Sequence, residues 1–427
     1  MIVKISPSNI AGSQVAPSSK SSMQRACAAA LLHNGTTHIY NAGISHDDKA
    51  ALDIIAQLGA KIQNKDGYLE TTSNTLLTQI PPLEGGEAVS INCGESGLSI
   101  RMFTPIAALS SNTINITGQG SLLKRPMDFF DEIFPQLGIE IISTEGKLPL
   151  QIKGALQPKN ITIDGSLSSQ FLTGLLFAFG QSVTAECTIT VTALKSKPYI
   201  DLTLNIMKHF GFNIVHNNYA QFIINPKTKN ENKIIEYTVE GDWSSASFLL
   251  VAGAIAGEVS IKGLDVFSTQ ADKAILQVLQ SCKAYVSISE DEIVIKKNKL
   301  MPFVFDATDC PDLFPPMVAL AAYCEGKSVI YGTHRLAAKE SDRAKTLQEI
   351  FGKMGIKITL QEDDAMIIEG GKINEATVSS HHDHRIAMAA AVAALGAEGT
   401  ITITEADAIN KSYPKFFEDL LKLRVTS

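Results

Sequence analysis

The run His384-Arg385-Ile386-Ala387-Met388-Ala389-Ala390-Ala391-Val392-Ala393-Ala394-Leu395-Gly396, followed by Thr400-Ile401-Thr402-Ile403, writes a helix and then a strand. Ala and Leu favour helix, glycine closes one easily, and alternating β-branched residues suit a strand. The same signature opens at Ser21, Ser99, Ser168, Ser244, Asp312 and His384, at spacings of 78, 69, 76, 68 and 72 residues. A second helical series interleaves with it. It begins with Leu52 to Gly59, continues in segments ending at Gly138, Gly211, Lys283 and Gly355, and closes at Leu420-Leu421-Lys422-Leu423. Six units of about 70 residues account for nearly the whole chain.

Each unit reads strand, helix, strand, helix, strand. In one helix, Leu204, Ile206, Met207 and Phe210 mark the apolar face, and Gly211 supplies the left-handed residue that ends it. Two helices per unit favour globular domains of three units each over a solenoid. A chain of 427 residues also exceeds what one core usually supports. The spacing places the cut near Tyr237-Thr238-Val239-Glu240.

Composition excludes several classes. Apolar residues at 45% and charged residues at 19% fit large buried cores and exclude disorder. No apolar run reaches the length of about 18 residues that a membrane helix needs. Met1-Ile2-Val3-Lys4 lacks the pattern of a signal peptide. Cys27, Cys93, Cys187, Cys282, Cys310 and Cys324 are scattered, with no Cys-x-x-Cys pair, so a reducing cytoplasm and no structural zinc are expected. A net charge of −7 speaks against nucleic-acid binding.

Basic residues nevertheless gather at helix starts. Pro17-Ser18-Ser19-Lys20-Ser21-Ser22-Met23-Gln24-Arg25 offers capping hydroxyls, a Lys at the mouth and an Arg one turn inward. Unpaired N–H groups and the helix dipole already favour an anion there, and an Arg fork suits phosphate or carboxylate. Related entries recur at Lys124-Arg125-Pro126, Ser168-Ser169-Gln170-Phe171, Ser196-Lys197-Pro198-Tyr199, Lys339-Glu340-Ser341-Asp342-Arg343, Asp383-His384-Arg385 and Lys411-Ser412-Tyr413-Pro414. Each one alone is equally an ordinary capped surface helix. Phased with the repeat in an acidic protein, the set points to a small polyanionic ligand. Among groups able to move a proton, Asp312 is either an N-cap or a base, Glu340 either a surface ion pair or an acid–base group, and His384 either a cap-region residue or a phosphate contact.

With Asp164-Gly165-Ser166 and Val239-Glu240-Gly241-Asp242 added, these motifs resemble, in order from about residue 12 to 418, the 3-phosphoshikimate 1-carboxyvinyltransferase (EPSP synthase) family of enolpyruvyl transferases. The resemblance implies an α/β fold of two domains, each of three βαβαββ units in a pseudo-threefold arrangement. Residues 20–238 would form one domain, and 1–19 with 239–427 the other. It also implies that phosphoenolpyruvate and shikimate 3-phosphate bind between domains that close on them, and that the enolpyruvyl group passes to the shikimate 5-hydroxyl with release of phosphate. This step belongs to the shikimate pathway to chorismate. No cofactor or metal, no nucleic acid, no membrane and a monomeric state are the matching expectations.

Carried over by position, Lys20, Ser21, Arg25, Ser168, Ser169, Gln170, Ser196, Tyr199, Asp312 and Lys339 would hold shikimate 3-phosphate. Lys20, Gly97, Arg125, Gln170, Arg343, Arg385 and Lys411 would surround phosphoenolpyruvate. Catalysis would fall to Lys20, Asp312, Glu340 and His384.

Three positions depart from the family pattern. Ser18 stands for Gly, Ala337 for Arg, and Glu95 for the Asn of an Asn-Ala-Gly-Thr loop. An acid beside a phosphate is unfavourable unless Asn92 or a shifted loop compensates. Two alternatives remain at this stage. One is the sister activity on UDP-N-acetylglucosamine, whose motifs lack the Ser-Ser-Gln and Ser-Lys-Pro-Tyr sites. The other is a phosphometabolite-binding protein without turnover.

Overall fold

Helix-forming stretches and their caps recur along the chain as the spacing predicts. The computed structural model describes residues 1–73, 88–227, 234–337, 339–362 and 364–425. Its α-helices are α1 Lys20–Leu31, α2 His46–Gln57, α3 Gly97–Ala107, α4 Asp128–Ile133, α5 Ser169–Ser182, α6 Lys197–His209, α7 Trp243–Ala256, α8 Ile275–Ser281, α9 Phe314–Ala321, α10 Arg343–Lys353, α11 His384–Ala394 and α12 Phe416–Lys422. The odd-numbered helices are the first series, each starting within two residues of the anticipated position. Their entries are closed by Ser19, Ser96, Ser168, Asp242 and Asp383, whose side chains accept first-turn N–H groups. Gly211 ends α6 in the left-handed conformation as predicted, with φ +79°, and φ is also positive at Gly138 (+78°), Lys283 (+65°) and Gly355 (+93°).

Strand count differs from the expected three per unit. Val89–Asn92 runs parallel to Ile114–Thr117, which pairs antiparallel with Lys147–Lys153, itself antiparallel to Glu140–Thr144. The unit is therefore βαβαββ, ending in a hairpin. Glu145 (φ +52°) and Gly146 (φ +64°) supply the two left-handed residues that a tight hairpin turn needs. Lys147–Lys153 alternates cleanly, burying Leu148, Leu150 and Ile152, while the ladder is irregular between Ile142 and Thr144, and the two short strands of one tight hairpin read as a single strand in the sequence.

The chain divides into two compact units, Ser18–Val239 and Met1–Pro17 with Glu240–Ser427. Each completes its first sheet with a strand of its own that is distant in sequence. Ile234–Thr238 lies parallel to Gly35–Tyr40, and Ile10–Val15 lies parallel to Gly257–Lys262. In the last repeat, Val3–Ile5 pairs antiparallel with Ile401–Thr404.

Within Ser18–Val239, α3 packs against α1 and α5; within the other unit, α7, α9 and α11 pack on one another. Every residue of α3, α7, α9 and α11 is buried. A helix enclosed on all sides is apolar on all sides, so its polar business is confined to its ends. The second series is amphipathic instead. In α6, Ile206 and Met207 are buried and Leu204 is half-buried, matching the predicted face. Sequence thus dictates packing, and packing leaves the helix entries as the places where charge can collect.

Candidate active site

In Ser18–Val239, Lys20 is the first residue of α1, and its ammonium lies 2.9 Å from Asp47 Oδ2 in the first turn of α2. The neighbouring Asp48 closes a capping box with Ser45, and burial pushes its carboxyl up to about 6. Gln24 Oε1 accepts from the hydroxyls of Ser96 and Ser99 at 3.1 and 3.0 Å, which ties α1 to the entry of α3.

Arg25 is buried, donating from Nε to Thr203 Oγ1 at 2.8 Å and from Nη1 to the Ser21 carbonyl at 2.8 Å. Its guanidinium lies 5.9 Å from the centre of the Tyr199 ring, so Ser21, Arg25 and Tyr199 are gathered at one place. Ser196, buried with a left-handed φ of +54°, precedes the same helix entry as Tyr199.

A third grouping forms at α3. A Cβ on Gly97 would stand 2.5 Å from Arg125 Nη1, so only glycine lets that guanidinium reach the backbone here. Arg101, one turn further along α3, donates to Gln170 Oε1 at 3.0 Å and lies over Phe171 at 5.2 Å. Ser168 caps α5 by accepting from the Gln170 N–H at 3.3 Å, and Ser169 is buried beside it.

The unit that contains Glu240–Ser427 holds a denser cluster. Asp312 sits in a short 3-10 turn before α9 and does not act as its cap. Its carboxylate meets Lys339 at 3.2 Å, Arg343 at 2.7 Å and Arg385 at 3.0 Å. Burial alone would raise this carboxyl, but Arg385, Lys339 and Arg343 outweigh it and hold the group well below the usual carboxylate range. Arg343 is fully buried and also binds Glu340 at 2.5 Å and Asp383 at 2.8 Å. Its burial works against the charge, and Asp383, Glu340 and Asp312 reverse that effect. Lys411 reaches Glu340 at 3.4 Å. Four cations and three carboxylates therefore share one buried corner.

His384 is the first residue of α11, next to Arg385. It is fully buried, and Arg385 Nη1 lies 2.7 Å from its Nε2. An arginine only donates, so Nε2 accepts and carries no proton. The ring holds Arg385 in place, together with Ser244, whose hydroxyl accepts from Arg385 Nη2 at 2.8 Å. Neither surface-ion-pair nor capping readings survive for Glu340 and Asp312, since both belong to the buried cluster.

Sequence reasoning left out Asp47, Arg101, Ser244 as a ligand of Arg385, and Arg335. Arg101 had a usable signal, one helical turn after Gly97. Asp47 had none, because Ser45-His46-Asp47-Asp48 reads simply as a helix start. Ala337 is exposed, while Arg335 on the same segment is drawn to Asp309 and Asp312. Asn92 Oδ1 accepts from the Gly94 N–H at 2.9 Å within its own loop. Ser18 donates to Asn41 Oδ1 at 3.1 Å. Among the described residues, no group of three His, Cys, Asp or Glu is placed to hold a metal ion, and no helix is long and apolar enough to cross a membrane.

The family model of EPSP synthase (3-phosphoshikimate 1-carboxyvinyltransferase) matches residues 5–420. The chain is 38% identical over 426 residues to a 3-phosphoshikimate 1-carboxyvinyltransferase of Clostridium acetobutylicum, spanning 99% of this chain and 97% of that one. The corresponding protein of Clostridium novyi is 35% identical over 426 residues, with the same shares of 99% and 97%. Among solved structures, an EPSP synthase from Acinetobacter baumannii has a TM-score of 0.80 at 26% identity, covering 100% of this chain and 98% of that one. The enolpyruvyl transferase NikO from Streptomyces tendae shares the fold, with a TM-score of 0.74 at 17% identity over 99% and 97% of the two chains.

Proposed function

The chain belongs to the EPSP synthase family, and we infer from this that it transfers the enolpyruvyl group of phosphoenolpyruvate to the 5-hydroxyl of shikimate 3-phosphate, giving 5-enolpyruvylshikimate 3-phosphate and phosphate. The observation that carries the inference at the level of residues is the Asp312 cluster. Three cations converge on one carboxylate at helix entries, and each substrate brings a carboxylate and a phosphate for such cations to take up.

Asp312 is ionised but a poor base while it holds Lys339, Arg343 and Arg385. Arriving substrate anions compete for those cations. As they turn away, the carboxyl climbs back toward its ordinary range and can accept the 5-hydroxyl proton. Lys20 or Glu340 donates a proton to the methylene carbon of phosphoenolpyruvate, making its neighbouring carbon electrophilic. The hydroxyl oxygen attacks that carbon, and a tetrahedral intermediate forms. Return of the added proton to the group that gave it then restores the double bond as the carbon–oxygen bond to phosphate breaks. The hydroxyl proton leaves with the phosphate, whose developing charge Arg125, Arg343, Arg385 and Lys411 offset.

Asp47 supports this reading by fixing the Lys20 ammonium, and His384 by fixing Arg385. Lys20, Ser21, Arg25, Ser168, Ser169, Gln170, Ser196, Tyr199, Asp312 and Lys339 are assigned to shikimate 3-phosphate. Lys20, Gly97, Arg125, Gln170, Arg343, Arg385 and Lys411 are assigned to phosphoenolpyruvate. Neither unit alone contains both assigned sets in full, so both are proposed to serve one reaction. Six buried, unbridged cysteines fit a reducing compartment, and the cytoplasm is the proposed location. Phosphate release from phosphoenolpyruvate tests the substrate assignment: it should require shikimate 3-phosphate and fail with shikimate or UDP-N-acetylglucosamine.

A further inference from the structure

We propose that Glu95 is a positioning residue, whose carboxylate seats the turn that delivers Arg125 to Gly97 and so stays out of the anion site it borders. The proposal rests on the assignment of Gly97 and Arg125 to phosphoenolpyruvate. By the pattern of charge alone, an acid two residues before Gly97 should repel the phosphate.

The structure resolves this by where the side chain goes. The loops leaving the parallel strands Val89–Asn92 and Ile114–Thr117 are stitched together, Cys93 N–H to the Thr117 carbonyl at 2.9 Å and Gln119 N–H to the Gly94 carbonyl at 2.8 Å. Glu95 follows directly and turns onto Gly120. A Cβ built on Gly120 would stand 2.5 and 2.6 Å from the two Glu95 carboxylate oxygens, so the carboxylate rests against the glycine backbone and a side chain there would displace it. Gly120 also has a left-handed φ of +57°.

Gly120 opens the 3-10 turn Gly120–Lys124, and the turn ends at Arg125, whose N–H donates to the Leu122 carbonyl at 3.2 Å. At that far end, Arg125 Nη1 occupies the space beside Gly97. Glu95 and Gly97 thus seat the two ends of one short segment. The glycines have complementary duties: Gly120 makes room for the carboxylate, Gly97 for the guanidinium. Held this way, the Glu95 side chain orders the turn that carries the cation.

Steady-state kinetics of wild type, Glu95→Ala, Glu95→Gln, Gly120→Ala and the double variant Glu95→Ala/Gly120→Ala test the proposal. Glu95→Ala should raise KM for phosphoenolpyruvate about tenfold, leave KM for shikimate 3-phosphate within about twofold, and be restored to within about threefold by Glu95→Gln, which keeps an acceptor of the same shape. Gly120→Ala should raise the same KM by unseating the carboxylate, and the double variant should be no worse than Gly120→Ala alone, because neighbours in one contact are non-additive. An unchanged or lowered KM for phosphoenolpyruvate in Glu95→Ala, or additive effects of the two substitutions, would overturn the proposal. If wild type shows no turnover, the reaction assignment fails first. Calorimetric titration of the same proteins with phosphoenolpyruvate then decides the role of Glu95 without turnover: the same pattern in affinity upholds it, and equal affinities or no binding to wild type overturn it.

Discussion

Arg343 and Asp383 face each other fully buried, with Nε 2.8 Å from Oδ2 and Nη2 3.3 Å from Oδ1. Asp383 Oδ1 also accepts the Arg385 N–H at 3.0 Å as the cap of α11. One carboxylate therefore aligns two arginines assigned to phosphoenolpyruvate. Asp383→Ala leaves a buried guanidinium without its bidentate partner and should destabilise the protein by about 3–5 kcal/mol. Asp383→Asn retains a cap acceptor and should lose clearly less. Urea unfolding of both variants checks the order.

Asp312 predicts an acid limb in both stability and turnover. Its folded-state carboxyl lies well below the ordinary value because Arg385, Lys339 and Arg343 surround it. A depressed carboxyl stabilises the fold above its unfolded value of about 4 and loses that contribution as pH falls toward the folded one. Asp312→Asn should therefore show a shallower fall of unfolding midpoint between about pH 4 and pH 2 than wild type. As a lost base, it should also lower kcat by about a hundredfold or more.

Asp48 should behave in the opposite sense. Burial raises its carboxyl to about 6 even though Ser45 donates to it from Oγ at 2.6 Å and from N–H at 3.0 Å. A raised carboxyl contributes stability below its unfolded value and loses it as pH rises through the folded one, here from about 4 to about 6. Relative to wild type, Asp48→Asn should gain about 3 kcal/mol on passing from pH 4 to pH 8. Urea midpoints at the two pH values decide it; a difference independent of pH would exclude a raised carboxyl.

His384 separates positioning from proton transfer. Because its Nε2 accepts from Arg385, His384→Gln should preserve most of the affinity for phosphoenolpyruvate, while His384→Phe raises KM about tenfold. Both should keep the shape of the wild-type pH–rate profile. Loss of one limb in both variants would return His384 to the acid–base role.

Local chemistry made much of this legible. Five of the six helix entries could be read because a cap and an apolar run lie within a few residues of each other, and Gly211 or Gly355 announce a helix end by themselves. Pairings between segments could not be read. Lys20 and Asp47 are 27 residues apart and Arg343 and Asp383 are 40, and only packing of the helices brings them together. That a ring nitrogen of His384 faces Arg385 could not be read either, since composition shows a titratable ring but not its orientation. Glu95 looked harmful because its neighbour in space, Gly120, lies in another strand's exit loop.

The most direct measurement follows both products of a single mixture, phosphate and 5-enolpyruvylshikimate 3-phosphate, by phosphorus NMR after adding phosphoenolpyruvate and shikimate 3-phosphate to wild type, Lys20→Met and Asp312→Asn. Equal amounts of the two products with wild type, and strong slowing in each variant, are the predicted result. Binding of both substrates with no product, or turnover undiminished in Lys20→Met and Asp312→Asn, would contradict the account.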